Sequence, residues 1–325
     1  MQRMPIDMIL SKQRSYLAEE LLDQEVPAGA FFGITCSKGG QVWHFDGTTA
    51  VRLGIPDPDP RSKVTLQNGQ RLREALKSLP WLADEPFVLH RMALPPGAYY
   101  PRIARPIDQH ANDSPGLLPD YWQAPDQLVG SLNQVRSLVG LLDSVFQTVH
   151  PVSANMACFG SAIRNLLILA CTECEAQWRG VLIANGCAEP RTTADYIKLL
   201  PAMRLQEYAV KLQHYPWLSG IEPYLTWSAE APSKSIPWYD DYNASKHDRE
   251  TSFSRASLGS AVQAVAALWI MIAAQYGVHG MREFADLDRY FQFGQVPLWR
   301  YSDVYTHPYQ GFDVEAGWRK FAFPL

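Results

Sequence analysis

From residue 238 to 249 the chain reads Trp-Tyr-Asp-Asp-Tyr-Asn-Ala-Ser-Lys-His-Asp-Arg, which brings an amide, an ammonium, an imidazole and a guanidinium into about three helical turns. On a helix, Asn243 and His247 stand four residues apart, as do Tyr242 and Lys246, and Lys246 and Arg249 stand three apart. Residues at those spacings share a face. Imidazole exchanges a proton near neutral pH, and ammonium and guanidinium groups hold phosphate oxygens. The spacing therefore predicts an edge that can hold a phosphate and move a proton. Asp240, Asp241, Asp248 and Glu250 offset the local charge, so this is no broad basic patch. A plainer alternative fits the same residues: a hydrogen-bonded knot that ties an irregular loop to the core. A third pairs His247 and Asp248 with His214 and Asp286 as ligands of a metal phosphohydrolase.

Other signatures are missing. The sequence has no G-x-x-x-x-G-K-[ST] phosphate loop, no G-x-G-x-x-G and no G-x-S-x-G. Cys171-x-x-Cys174 has metal-ligand spacing, but no second Cys/His pair accompanies it and Cys174 falls on an apolar helix face. A core role is expected, with no metal and no cofactor. Asp57-Pro58-Asp59-Pro60 reads as a solvated turn. A net charge of -4 and a pI of about 6.1 supply no global field for nucleic acid or acidic membrane. Five cysteines, an odd number, three of them in or beside helical sequence, predict reduced thiols and a cytoplasmic location. The N-terminus has no signal-like apolar run, and the most apolar stretch, residues 261–274, is broken by Gln263 and reads as too short to span a bilayer.

The elements that must position these groups follow from hydrophobic period. Residues 6–24 read as an amphipathic helix. Residues 30–36 and 41–45, short, aromatic and β-branched, flank Ser37-Lys38-Gly39-Gly40 and predict a hairpin. A short helix over 70–79 stops at Pro80, and strands are expected over 87–92 and 98–104. Residues 106–125, rich in Pro, Gly and Asp, read as a linker. Helices are expected over 126–149, along the stripe from Ile163 to Leu182 that ends at the Asn185-Gly186 stop, over 192–200 and 202–212, and over 254–276 before Gly277. Residues 216–237 read as irregular, and the aromatic tail after Arg282 as lying over the core. The expected fold is mainly α: a C-terminal helical bundle over 126–325, preceded by a small mixed α/β unit over 1–105.

The pattern W-x3-Y-N-x2-K-H-x-R, carried by Trp238, Tyr242, Asn243, Lys246, His247 and Arg249 and followed by a long helix, resembles a bacterial group of helical proteins related to the HEPN superfamily. Upstream, Asn155, Gly160, Ile163-Arg164-Asn165-Leu166-Leu167, Glu173 and Glu175 look like the companion first core helix. The resemblance covers residues 125–280. It implies a helical bundle, a homodimer, and in many members a metal-independent ribonuclease of toxin, defence or RNA-processing systems, with an antitoxin or defence-system partner. His247 would be the acid–base catalyst, Asn243 the orienting group and Lys246 a further catalytic group. Arg249, Arg164 and Tyr242 would contact phosphate or RNA. Here the sequence departs from the family: the position of its active Arg falls on Tyr242, which supplies no fixed cation. Some members of the family bind without cleaving, and the resemblance with a degraded motif points that way. Arg164, Cys171 and Glu175 share an azimuth on their helix, so Arg164 could face the Asn243–His247 edge. The alternative leaves Arg164 on the solvent side and makes Glu175 and Arg179 an ordinary i,i+4 pair.

Overall fold

The computed structural model describes residues 25–36, 39–55, 59–106, 119–284, 290–308 and 317–325. The expected helix over 6–24, Asp57, Pro58, Asp286 and most of the expected linker lie outside them. Contacts divide the chain into two units, Met1–Ala98 with Arg300–Trp318, and Tyr99–Trp299 with Arg319–Leu325. The division falls at Ala98 instead of near residue 105, and residues 300–318 of the aromatic tail return to the first unit.

The first unit is built on a five-stranded antiparallel sheet in the order β4-β3-β2-β1-β5. Its strands are β1 (Ala30–Cys36), β2 (Gly39–Phe45), β3 (Thr49–Arg52), β4 (Lys63–Thr65) and β5 (Val88–Arg91), with helix α1 (Leu72–Lys77) between the last two. Alternation sets the faces. Phe32 pairs with Trp43 and Ile34 with Leu89. These side chains, with Phe45 and Ala50, bury one face against Leu76, Leu79, Leu82 and Phe87. The opposite face carries Gly33 and Gly40, and on them lies the ring of Tyr301; a Cβ at either glycine would overlap that ring. The segment bearing Tyr301 is held by backbone bonds from Ala93 N–H to Ser302 C=O and from Gly97 N–H to Thr306 C=O, both 2.8 Å.

The second unit holds a two-residue start in β6 (Ala98–Tyr99, shared with the first unit), then α2 (Pro119–Gln123), α3 (Pro125–Phe146), α4 (Ser161–Ala184), α5 (Thr193–Tyr196), α6 (Leu199–Met203), β7 (Ala209–Leu212), α7 (Pro237–His247), α8 (Arg249–Ser252), α9 (Leu258–Phe284), β8 (Phe291–Gln295) and β9 (Arg319–Lys320). Pro125 occupies the first turn of α3, where its missing N–H has no intrahelical partner to lose. Helix α4 ends in a Schellman motif: Gly186 takes φ 85°, Gly186 N–H donates to Ile183 C=O and Cys187 N–H to Leu182 C=O. Helix α9 packs against α3, α4 and α7. Its Leu258–Val278 stretch is long and apolar enough to cross a membrane, longer than residues 261–274 suggested, yet 89% of it is buried inside the protein. A helix apolar on all sides serves here as the core. Gly277, with φ 77° and ψ 153°, interrupts it at the expected stop.

These elements correct the expected fold class. A five-stranded antiparallel sheet and two further strand pairs stand beside the helices of the described residues, so the fold is mixed α/β and not mainly α. Strands β3 and β4 are too short to display a period. Ala209–Leu212, expected as helix, pairs antiparallel with Phe291–Gln295. A four-residue apolar stretch fits either period, and pairing with a distant strand decides it. The expected strand over 98–104 shrinks to Ala98–Tyr99, and part of the expected linker is helix α2.

Candidate functional site

Helix α7 carries the motif. Pro237 opens it, and the Trp238 indole N–H donates to Pro223 C=O at 2.9 Å, fixing the entry from the irregular segment before it. Trp238, Tyr239, Tyr242 and Ser245 form its buried side. There Tyr239 packs on Trp178, the hub of an aromatic cluster with Tyr196, Trp227 and Trp238. The Tyr239 hydroxyl donates to Glu175 Oε1 at 2.6 Å, and burial pushes that phenol well above its ordinary range. Glu175 is thus engaged across the helix interface. Tyr239→Phe is expected to cost about 1–2 kcal/mol, because a half-buried carboxylate loses its donor; urea denaturation of the variant measures it.

The structure brings some predicted residues together and separates others. Arg164 does face α7, but its Nε and Nη2 donate to the Ser245 carbonyl at 3.2 and 3.0 Å. It satisfies a carbonyl of the last turn of α7, where a cation also opposes the helix dipole. Tyr242 is fully buried, so it offers no surface to a ligand. Its hydroxyl accepts Lys246 Nζ at 2.7 Å, with the ammonium 4.9 Å from the ring centre. That hydrogen bond holds the Lys246 ammonium above its ordinary pKa. Asp240 and Asp241 bind Arg255 at 2.5 and 2.9 Å, and Ser260 Oγ donates to Asp241 at 2.6 Å. Asp248 caps the short helix α8 through Thr251, whose hydroxyl and N–H hold its carboxyl below the usual range.

Asn243 is half-buried, and His247 and Arg249 are exposed. Among the described residues, none of the three side chains has a hydrogen-bond or ion-pair partner. The expected knot does not form around the imidazole. Among the described residues no group of three or more His, Cys, Asp or Glu side chains converges, and Asp286, of the expected metal set, lies outside them. Cys171 and Cys174 are buried free thiols, and burial raises both.

A second polar cluster escaped the sequence reading. Arg102, buried and left-handed at φ 57°, donates from Nε to Gln275 Oε1 at 2.7 Å and from Nη2 to Gln177 Oε1 at 2.8 Å. Its backbone N–H donates to buried Asp120. Gln177 in turn donates to Glu173 Oε1 at 2.8 Å. Gly180 leaves the room for the guanidinium, which a Cβ there would strike. The legible signal was two glutamines and a glycine on otherwise apolar helix stripes. The arginine that joins them falls within residues 98–104, expected as strand, far along the chain from both glutamines. Comparison with known protein families, characterised proteins and solved structures finds no match to this chain.

Proposed function

We propose that the C-terminal edge of α7 contacts RNA, and that the chain is a HEPN-like binding module that holds RNA without cutting it. The observation that carries this reading is the state of His247, Asn243 and Arg249, which stand at one helix end with no protein partner among the described residues. An exposed imidazole and guanidinium that no protein group engages are open to a phosphate oxygen. The charge balance is modest. Lys246, Arg249 and Arg164 face Asp248 and Glu250 and the negative end of a helix dipole. Binding should therefore be weak and strongly salt-dependent.

The same geometry argues against cleavage. Stabilising a pentacoordinate phosphate needs cations fixed in a water-poor site. Arg164 is directed at a carbonyl, Lys246 at a phenol, and Tyr242 sits where the related motif has its arginine. Metal-independent ribonuclease activity is the second reading, favoured by the exposure of the imidazole. Labelled single-stranded RNA, followed by anisotropy and by gel in EDTA, tests both. The expected result is binding at low salt, intact RNA, and about fivefold weaker binding in His247→Ala and in Arg249→Ala at unchanged melting temperature. Arg249→Ala should also flatten the salt slope by about 0.7. Cleavage that vanishes in His247→Ala would replace the first reading with the second. Affinity unaltered in the double variant, or no binding at all, would end both.

A further inference from the structure

Asn185 and Gly186, which close α4, are also a pair that reacts with itself when nothing restrains it. The Gly186 backbone nitrogen gives up its proton and attacks Cγ of Asn185. An N–Cγ bond forms, the Cγ–Nδ2 bond breaks, and ammonia leaves. Water then opens the resulting imide ring at one carbonyl or the other, giving aspartate or its isoaspartyl isomer. Glycine favours the step because no side chain shields its nitrogen. In the folded chain both reacting groups are restrained. Asn185 is only 4% exposed. Its Nδ2 donates to Pro101 C=O at 2.8 Å and to Val181 C=O at 2.9 Å, and its Oδ1 accepts the Phe323 N–H at 3.0 Å. The Gly186 N–H is committed to Ile183 C=O at 3.0 Å. The segment that bears Phe323 lies over both residues: a Cβ on Gly186 would stand 3.8 Å from the Ala322 methyl.

That cover is slight. Phe321, Ala322, Pro324 and Leu325 are exposed, and Phe323 is half-buried. Besides the bond to Asn185, the segment is held by the Phe321 N–H on Tyr99 C=O at 2.8 Å and by the Phe323 ring against Tyr100 at 4.9 Å. Exposed segments with few buried contacts open locally at little cost in free energy. We propose that Asn185 is a site of spontaneous deamidation whose rate is set by the opening of residues 319–325. Once the segment lifts, water reaches the amide, and fraying of the last turn of α4 frees the Gly186 nitrogen. The change runs one way. The amide donates two hydrogen bonds, whereas a carboxylate at 185 donates none and sets a negative charge against the Pro101 and Val181 carbonyls. The isoaspartyl form also lengthens the main chain inside the Schellman motif. In either form the segment no longer reseats as before.

The inference is independent of RNA contact at His247. The full chain is held at mildly alkaline pH, samples are digested over time, and the peptide containing residue 185 is followed by mass. The native chain should react at least about tenfold more slowly than the same chain in urea. Phe323→Pro removes the N–H that holds Asn185 Oδ1 and should react about fivefold faster than the unaltered chain. Gly186→Asn keeps a residue that tolerates the left-handed stop but shields the nitrogen, and should be at least about tenfold slower in urea. Asn185→Asp should speed hydrogen exchange at the Phe321 and Phe323 amides about tenfold or more. Equal rates in the native and urea-unfolded chains, or in Phe323→Pro and the unaltered chain, overturn control by the segment. No acid at 185 in urea, or a rate indifferent to Gly186→Asn, overturns the site itself. Unchanged exchange in Asn185→Asp overturns the one-way release. Should Phe323→Pro fail to fold, a chain cut after Lys320 gives the same reading of the rate.

Discussion

Gly180→Ala is expected to lower stability by about 2–4 kcal/mol, although alanine in the middle of a helix ordinarily adds up to about 1 kcal/mol over glycine. The reversal comes from the guanidinium of Arg102, which occupies the space a Cβ would need. Overpacking a full interior costs about 1–3 kcal/mol. Moving Arg102 also strains its bonds to Gln177 and Gln275, each a charge-assisted bond worth about 1.5–3 kcal/mol. Arg102→Met should be as severe, about 3–5 kcal/mol, since it leaves buried polar partners facing an apolar chain. Urea denaturation gives both values. The combined variant is the sharper measurement: once the guanidinium is gone, alanine at 180 is tolerated, so the two losses should fall well short of adding. Additive losses would mean that Gly180 is needed for some reason other than room for Arg102.

Acidification should weaken the first unit over a defined window. His90 is buried on the sheet, its Nε2 lies 2.7 Å from Thr35 Oγ1, and the Tyr301 ring is 5.2 Å away. Burial pulls the imidazole down from 6.5 to about 4. A depressed histidine favours folding while neutral, so its contribution is complete above pH 6.5 and is lost as pH falls toward 4. The expected loss is roughly 2–3 kcal/mol. Hydrogen exchange at the amides of β1 and β5, measured from pH 7 to pH 4, reads it locally. His90→Gln, which has nothing to titrate there, should flatten that part of the profile. Identical profiles for the two proteins would remove His90 as the cause.

What the sequence made legible tracks the length of each signal. Helix α4 repeats its apolar stripe over several turns and closes on Asn185-Gly186, so both its body and its end were readable. The hairpin of β1 and β2 announced itself through aromatic and β-branched residues around adjacent glycines. Strands β3 and β4 span three or four residues, too short to show a period, and β7, four residues long, depends on a partner far along the chain, β8. In the site, spacing placed Asn243, Lys246 and His247 on one helix, and the shared azimuth with Cys171 and Glu175 aimed Arg164 toward it. Spacing could not say that Arg164 would meet a carbonyl, or that Tyr242 would be buried under Lys246. Those outcomes depend on which side of α7 meets α4, a fact of tertiary packing. The Arg102 cluster was hidden for the same reason.

The seat of Tyr301 on Gly33 and Gly40 sets the timing of biosynthesis. The ribosome delivers the five strands early, but the residue that closes over their glycines emerges about 200 residues later. At roughly 5–20 residues per second, the nascent sheet waits on the order of 10–40 s with that face uncovered. A stalled or truncated message ending before residue 300 would release a product that cannot finish its first unit, however well its helices fold.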